Sequence, residues 1–241
     1  MREIVGGVYF IQGQDELIPD SHVYLIGDRG SGDFSIVDAG LMGKGGYKLG
    51  AIEGLGISLK DVKRVIMTHT HLDHIGCFPE IREQIPGVEL WIHEVEARAL
   101  ERGDERILYG MDMFRTMCEQ QFGLRPGDFS FKVDRHQGDG ESVQLGNMVW
   151  KIFHVPGHSP GSIALYNTDN KILIPGDVVY ADYAIGRFDL HGANGHQLKN
   201  SLMRLAELDV EVLLPGHNSI VEKVPPGYIL DTARQWAPYL V

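Results

Sequence analysis

Short runs of apolar residues alternating with polar ones fill the first third of the chain. They predict strands at EIVGGVYFIQG (3–13), HVYLIGD (22–28) and FSIVDAG (34–40). A short helix is expected from Tyr47 to Leu55, a strand at VKRVIMT (62–68), a helix from Phe78 to Gln84 and a strand at VELWIH (88–93). Residues 94–122 form the longest helical stretch, broken near Gly103 or Gly110. Within it Met111, Phe114, Met117 and Gln121 recur at helical spacing, a stripe expected to pack into the core. At a cleft the same stripe would form a flexible wall, because Met adapts to irregular ligands.

Further along, SVQLGNMVWKIF (142–153) reads as a hairpin turning at Gly146-Asn147. The strands SIALYN and KILIPG follow, joined by Thr168-Asp169-Asn170. Leu198, Leu202, Leu205 and Leu208 mark one face of a helix, then come the strand EVLLPG and a closing helix from Ile229 to Trp236. No linker or low-complexity tract interrupts this order, so residues 1–241 read as one domain. Strands in both halves with helices between them predict an α/β (α+β) sandwich of two sheets with helices outside.

Composition narrows the partners. The chain has 241 residues, 43% of them hydrophobic, and a net charge of −11. An acidic surface without a basic stripe argues against nucleic acid. No run approaches the roughly 18 apolar residues that span a bilayer, and the N-terminus lacks an apolar leader, so a cytoplasmic protein is expected, with no membrane partner. Cys77 and Cys118 are too few for a disulfide framework. The expected partner is a small-molecule substrate, and a homodimer is compatible with the sequence.

The chemistry concentrates in THTHLDHIG (68–76), directly after a strand. His69, His71, Asp73 and His74 are four coordinating groups in six positions, and as core residues each would need its own buried partner. Alternation off the strand places His69, His71 and Asp73 on one side, while the adjacent Asp73 and His74 diverge, which suits two neighbouring metals. Three later segments repeat one plan: KIFHVPGH ends at His158, KILIPGD at Asp177 and EVLLPGH at His217. Seven of the 11 prolines precede glycine, so Pro-Gly alone says little; the apolar strand before it and the ligand after it are the signal. Pro ends the ladder and Gly turns the chain, so the next side chain leaves the sheet edge. Five His and two Asp without a thiolate suit zinc, iron or manganese. Seven ligands suit two divalent ions sharing a carboxylate, a pair that lowers the pKa of a bridging water to about 7 for attack on a carbonyl or phosphoryl centre.

These residues resemble the metallo-β-lactamase superfamily over essentially the whole chain, its HxHxDH signature standing at His69, His71, Asp73 and His74. The resemblance implies the αββα sandwich with the site at one edge. It implies a first metal on His69, His71 and His158, a second, zinc foremost, on Asp73, His74 and His217, Asp177 as bridge, and Asp73 orienting the nucleophile. IVDAG resembles the superfamily's early IVDTG loop, which makes Asp38 a support for a ligand histidine.

GDVVYADYAIGRFDL resembles the hydroxyacylglutathione hydrolase (glyoxalase II) group and implies thioester or ester hydrolysis; Arg187 and Asp189 in that stretch are expected to form an ion pair. Longer members of that group hold glutathione with an additional C-terminal region, whereas Lys223 and Arg234 are the only cations after His217. Two alternatives remain. Tyr180, three residues after Asp177, stands where lactonases of the superfamily place a catalytic tyrosine. Persulfide dioxygenases also resemble the chain and would hold one iron on His69, His158 and Asp177.

Overall fold

The computed structural model describes residues 1–15 and 17–241. Two mixed sheets lie face to face. The first has seven strands in chain order: β1 (Arg2–Val5), β2 (Val8–Ile11), β3 (Val23–Gly27), β4 (Phe34–Val37), β5 (Val62–Ile66), β6 (Glu89–His93) and β7 (Arg135–Gln137). Its pairing is antiparallel up to β4 and parallel from β4 to β7. The second, ordered β12-β11-β10-β9-β8, comprises β8 (Ser142–Leu145), β9 (Met148–His154), β10 (Ile163–Asn167), β11 (Ile172–Ile174) and β12 (Val212–Leu213), with only β11–β12 parallel.

Strand alternation builds three apolar layers from one set of strands. On β3, Tyr24 and Ile26 face the second sheet while Val23 and Leu25 face outward. Trp150, Ile152, Ile163 and Leu165 of the second sheet complete the inner layer. Outside the first sheet, α1 (Gly45–Glu53) and α3 (Phe78–Gln84) bury Leu49, Ile52, Phe78 and Ile81. Outside the second, α7 (Gly195–Leu205) and α8 (Tyr228–Trp236) bury Leu198, Leu202, Leu205 and Ile229. This is the αββα sandwich that the strand and helix order predicted.

Several local expectations change. Residues 3–13 are not one strand but a hairpin, folded at Gly6-Gly7. The 94–122 stretch divides into α4 (Glu94–Glu101), α5 (Arg106–Tyr109) and α6 (Asp112–Phe122); Gly103 and Gly110 take φ +72° and +65°, which a side chain resists. Leu208 lies beyond the end of α7. The short strand β7 carries no sequence signal. The apolar stripe of α6 is only partly core: Cys118 is the one fully buried residue of that helix and Phe114 packs against the first layer, while Met111, Phe114 and Met117 border a cleft. Cys77 and Cys118 are both buried free thiols, and Cys77 donates to the Leu41 carbonyl at 2.6 Å.

Candidate metal centre

Five chain segments meet at one rim of the sandwich, each just past a strand end. Asp38 follows β4; His69 to His74 follow β5 and run into the one-turn helix α2 (Leu72–Ile75); His158, Asp177 and His217 follow β9, β11 and β12. Asp73 and His74 therefore diverge because they begin a helix, not because an extended strand continues. Backbone hydrogen bonds tie the segments together, from Ser21 N to Asp73 O at 3.1 Å, His22 N to Gly216 O at 2.7 Å and Gly216 N to Gly176 O at 3.0 Å.

All seven residues singled out as ligands come together, in two groups. His69, His71 and His158 form one, and Asp73, His74, Asp177 and His217 the other, with ligand atoms inside each within 4.8 Å. His71 Nδ1 lies 3.0 Å from His158 Nε2, close to the edge of about 3.3 Å expected between two nitrogens bound tetrahedrally at about 2.05 Å. Asp177 reaches both groups: Oδ1 is 3.4 Å from His74 Nε2, and Oδ2 is 3.5 Å from His217 Nε2, 3.6 Å from His158 Nε2 and 4.0 Å from His69 Nε2. Asp73 Oδ2 sits 3.1 Å from His217 Nε2.

Burial makes this arrangement costly without a ligand. Nε2 of His69, His71 and His74 and Oδ1 of Asp177 are buried with no hydrogen-bond partner among the described residues. Three of these, His69 Nε2, His74 Nε2 and Asp177 Oδ1, belong to the ligand clusters and are what divalent cations would satisfy, while His71 presents Nδ1 to its cluster. A Cβ at Gly216 would stand 2.2 Å from Asp177 Oδ1 and 2.8 Å from His74 Cε1, so the glycine lets the backbone close on the cluster.

The outer nitrogens of His69, His74 and His158 are held. His158 Nδ1 donates to the Arg187 carbonyl at 2.7 Å. Asp38 Oδ2 accepts from His74 Nδ1 at 3.0 Å and from Thr68 Oγ1 at 2.8 Å, and Thr68 Oγ1 in turn accepts from His69 Nδ1 at 3.1 Å. Asp38 thus orients two histidines, one directly and one through Thr68. Each proton so placed leaves an Nε2 lone pair facing inward.

Charge follows from the same geometry. Burial, reinforced by neighbouring imidazoles, holds His69 well below its usual pKa and His71 down to about 3, so both stay neutral. Burial pushes the carboxyls of Asp73 and Asp177 up, but His74 and His217 outweigh it, taking Asp73 to about 2 and Asp177 well below its usual value. Burial also opposes a proton on His74, yet Asp177, Asp38 and Asp73 raise it well above its ordinary range. His69 and His71 are thus already in the neutral form that ligates a metal, whereas the carboxylates favour a proton on His74 and, against burial, on His217, which a cation would have to displace.

Around the centre, Tyr180 lines the cleft, its ring 6.3 Å from that of His217. Burial and then the Asp177 carboxylate raise its pKa well above 10, so it remains a neutral donor. The Tyr228 hydroxyl of α8 clamps this segment, donating to Tyr180 O at 2.9 Å and accepting from Tyr183 N at 2.8 Å. Arg187 and Asp189 form the expected ion pair at 2.8 Å. His22 is buried and bridges Gly13 N at 3.0 Å and Asn218 O at 2.6 Å, bracing the loop that carries His217.

Sequence patterns missed two supports. Lys48 and Asp20 form a buried ion pair at 2.5 Å, and Lys48 Nζ also donates to Ser21 O. Glu96 of α4 is fully buried and accepts from Thr70 Oγ1 at 2.8 Å, Ser159 Oγ at 2.5 Å and Gly161 N at 2.9 Å. Its carboxylate ties the loop of His69 and His71 to the loop of His158. A Glu inside a helical run gives no local sign of such partners. Glu96→Ala would take the acceptor from Thr70 Oγ1 and Gly161 N and leave Ser159 Oγ with Ser162 Oγ at 2.7 Å, and is expected to cost roughly 3 kcal/mol. It should also weaken metal binding about 10- to 100-fold. Thermal denaturation and chelator competition measure the two effects, and unchanged values in both would remove Glu96 from this role.

No helix among the described residues is long and apolar enough to cross a membrane. The family model of the metallo-beta-lactamase superfamily matches residues 19–217. The hydroxyacylglutathione hydrolase GloC of Haemophilus influenzae is 30% identical, over 77% of this chain and 80% of its own. The acyl-coenzyme A thioesterase MBLAC2 of Gallus gallus is 34% identical, over 63% of this chain and 55% of its own. A subclass B3 metallo-beta-lactamase of Bradyrhizobium japonicum, BJP-1, superposes with a TM-score of 0.72 at 22% identity, covering 99% of this chain and 90% of that one. Fold, ligand-like clusters and family match agree, and this chain belongs to the metallo-beta-lactamase superfamily.

Proposed function

We propose that this metallo-hydrolase cleaves a thioester or ester with two divalent metal ions. The observation that carries the reading is Asp177, whose two oxygens face both groups of ligands at 3.4 to 4.0 Å. His69, His71 and His158 would hold one ion and Asp73, His74 and His217 the other, with Asp177 between them. Imidazole and carboxylate favour zinc and accept iron or manganese. When bound, such ions supply Lewis acidity that activates water and polarises a carbonyl.

The protein's own groups do the rest. Asp73, at the cleft and less buried than Asp177, orients the attacking water. Tyr180, kept protonated by burial and Asp177, donates to the carbonyl oxygen as negative charge develops there. A C–O bond forms from water, the acyl–sulfur or acyl–oxygen bond breaks, and water's proton passes to the leaving thiol or alcohol. Two relatives bear names of thioester hydrolases, which supports this class. A lactone is a cyclic ester, and the same Tyr180 would serve it.

Elemental analysis of protein purified without added metal is expected to find about two ions per chain, with turnover lost on chelation and restored by adding metal back. One iron per chain, with oxygen uptake on a persulfide, would overturn this reading in favour of a mononuclear dioxygenase.

A further inference from the structure

The cleft above the metal centre encloses about 560 Å³, within the range of sites for small molecules. Its floor is polar, formed by His71, Asp73, His158, Asp177 and His217, but its walls are mostly apolar. Helix α6 turns Met113, Phe114 and Met117 toward the cleft, and Leu17 and Leu190 also line it. Met113 is 70% exposed and Leu17 78% exposed, although neither contributes to a core layer. Apolar side chains that serve no core and border a reactive floor have an occupant's contact as their remaining use.

Charge in the same cleft is equally selective. Among the described residues lining it, Arg187 is the only lysine or arginine, and Asp189 already accepts from its Nε at 2.9 Å and its terminal nitrogen at 2.8 Å. Asp15 adds a carboxylate to the wall. No free basic fork awaits a carboxylate or phosphate on the substrate.

We infer that the acyl part of the substrate is an uncharged, apolar chain seated between α6 and Leu17, an inference that rests on the hydrolase reading above. Methionines suit such a chain, since their unbranched side chains follow a flexible ligand without a fixed shape. A small hydroxylated acyl group would leave these walls bare.

Binding and turnover separate the two readings. A series of linear methyl ketones from four to eleven carbons cannot be hydrolysed, and it is titrated into metal-loaded protein with 13C-labelled methionine methyl groups. Affinity is expected to rise with length, by up to about fourfold per methylene, with the Met113 and Met117 signals shifting. Met113→Ser and Met117→Ser, the first at an exposed position, should each flatten that dependence. Affinity independent of chain length, or Met113 and Met117 signals that stay still, would overturn the inference. Turnover of the matching acyl thioesters reads the hydrolase assignment by itself: length-dependent binding without turnover leaves the apolar seat standing and removes the reaction.

Discussion

Asp177→Ala is expected to release both ions and lower kcat/KM at least about a thousandfold, equivalent to about 4 kcal/mol of transition-state stabilisation. Among the described residues, Asp177 is the one carboxylate with oxygens within 4.0 Å of ligand nitrogens in both groups. Its Oδ2 lies within 3.5 to 4.0 Å of His217, His158 and His69, and its Oδ1 is a buried acceptor without a hydrogen-bond partner among the described residues. Alanine removes both oxygens, whereas asparagine would keep one and blur the result. Metal content and turnover are measured on the same preparation. A variant that kept two ions and full activity would end the bridging assignment.

The second large effect comes from a residue not among the seven ligands. Asp38→Asn keeps size and backbone, because Asn also tolerates the left-handed φ of +59° found there. What changes is the direction of one hydrogen bond. Asp38 Oδ2 now accepts from His74 Nδ1, while Oδ1 accepts from Thr68 N at 2.8 Å and Thr68 Oγ1 at 3.1 Å. With its oxygen retained by Thr68, the amide nitrogen of asparagine would face His74 and donate. His74 would then carry its proton on Nε2, where the ligand lone pair is needed. Metal affinity is expected to fall at least about 10- to 100-fold at that position, with smaller loss at the other group. Chelator competition measures it, while a thermal midpoint near wild type would show that the fold is intact. Equal affinity in mutant and wild type would mean that Asp38 does not set the tautomer.

The apolar periodicity of the chain was enough to place most strands and the outer helices, because central strands such as β3, β4 and β10 bury both faces in different layers, β8 alternates buried with exposed positions, and each outer helix buries one face. HTHLDH and the three Pro-Gly strand ends were likewise readable. Four coordinating side chains packed into six positions are too costly to bury unless something ligates them, and Pro-Gly ends a ladder in a recognisable way. These signals are local, and local order is what dihedral preferences and side-chain period control.

Which groups those segments face was decided only when the two sheets packed. The pairing of Asp38 with both His74 and Thr68, and the bracket that Glu96 forms across two loops, join residues 26 to 65 positions apart. The stripe of α6 has the spacing of a core helix, yet it lines the cleft because α5 and the glycine at 110 set the helix against the opening. Periodicity states that a face is apolar. Only the assembled fold states whether protein or ligand covers it.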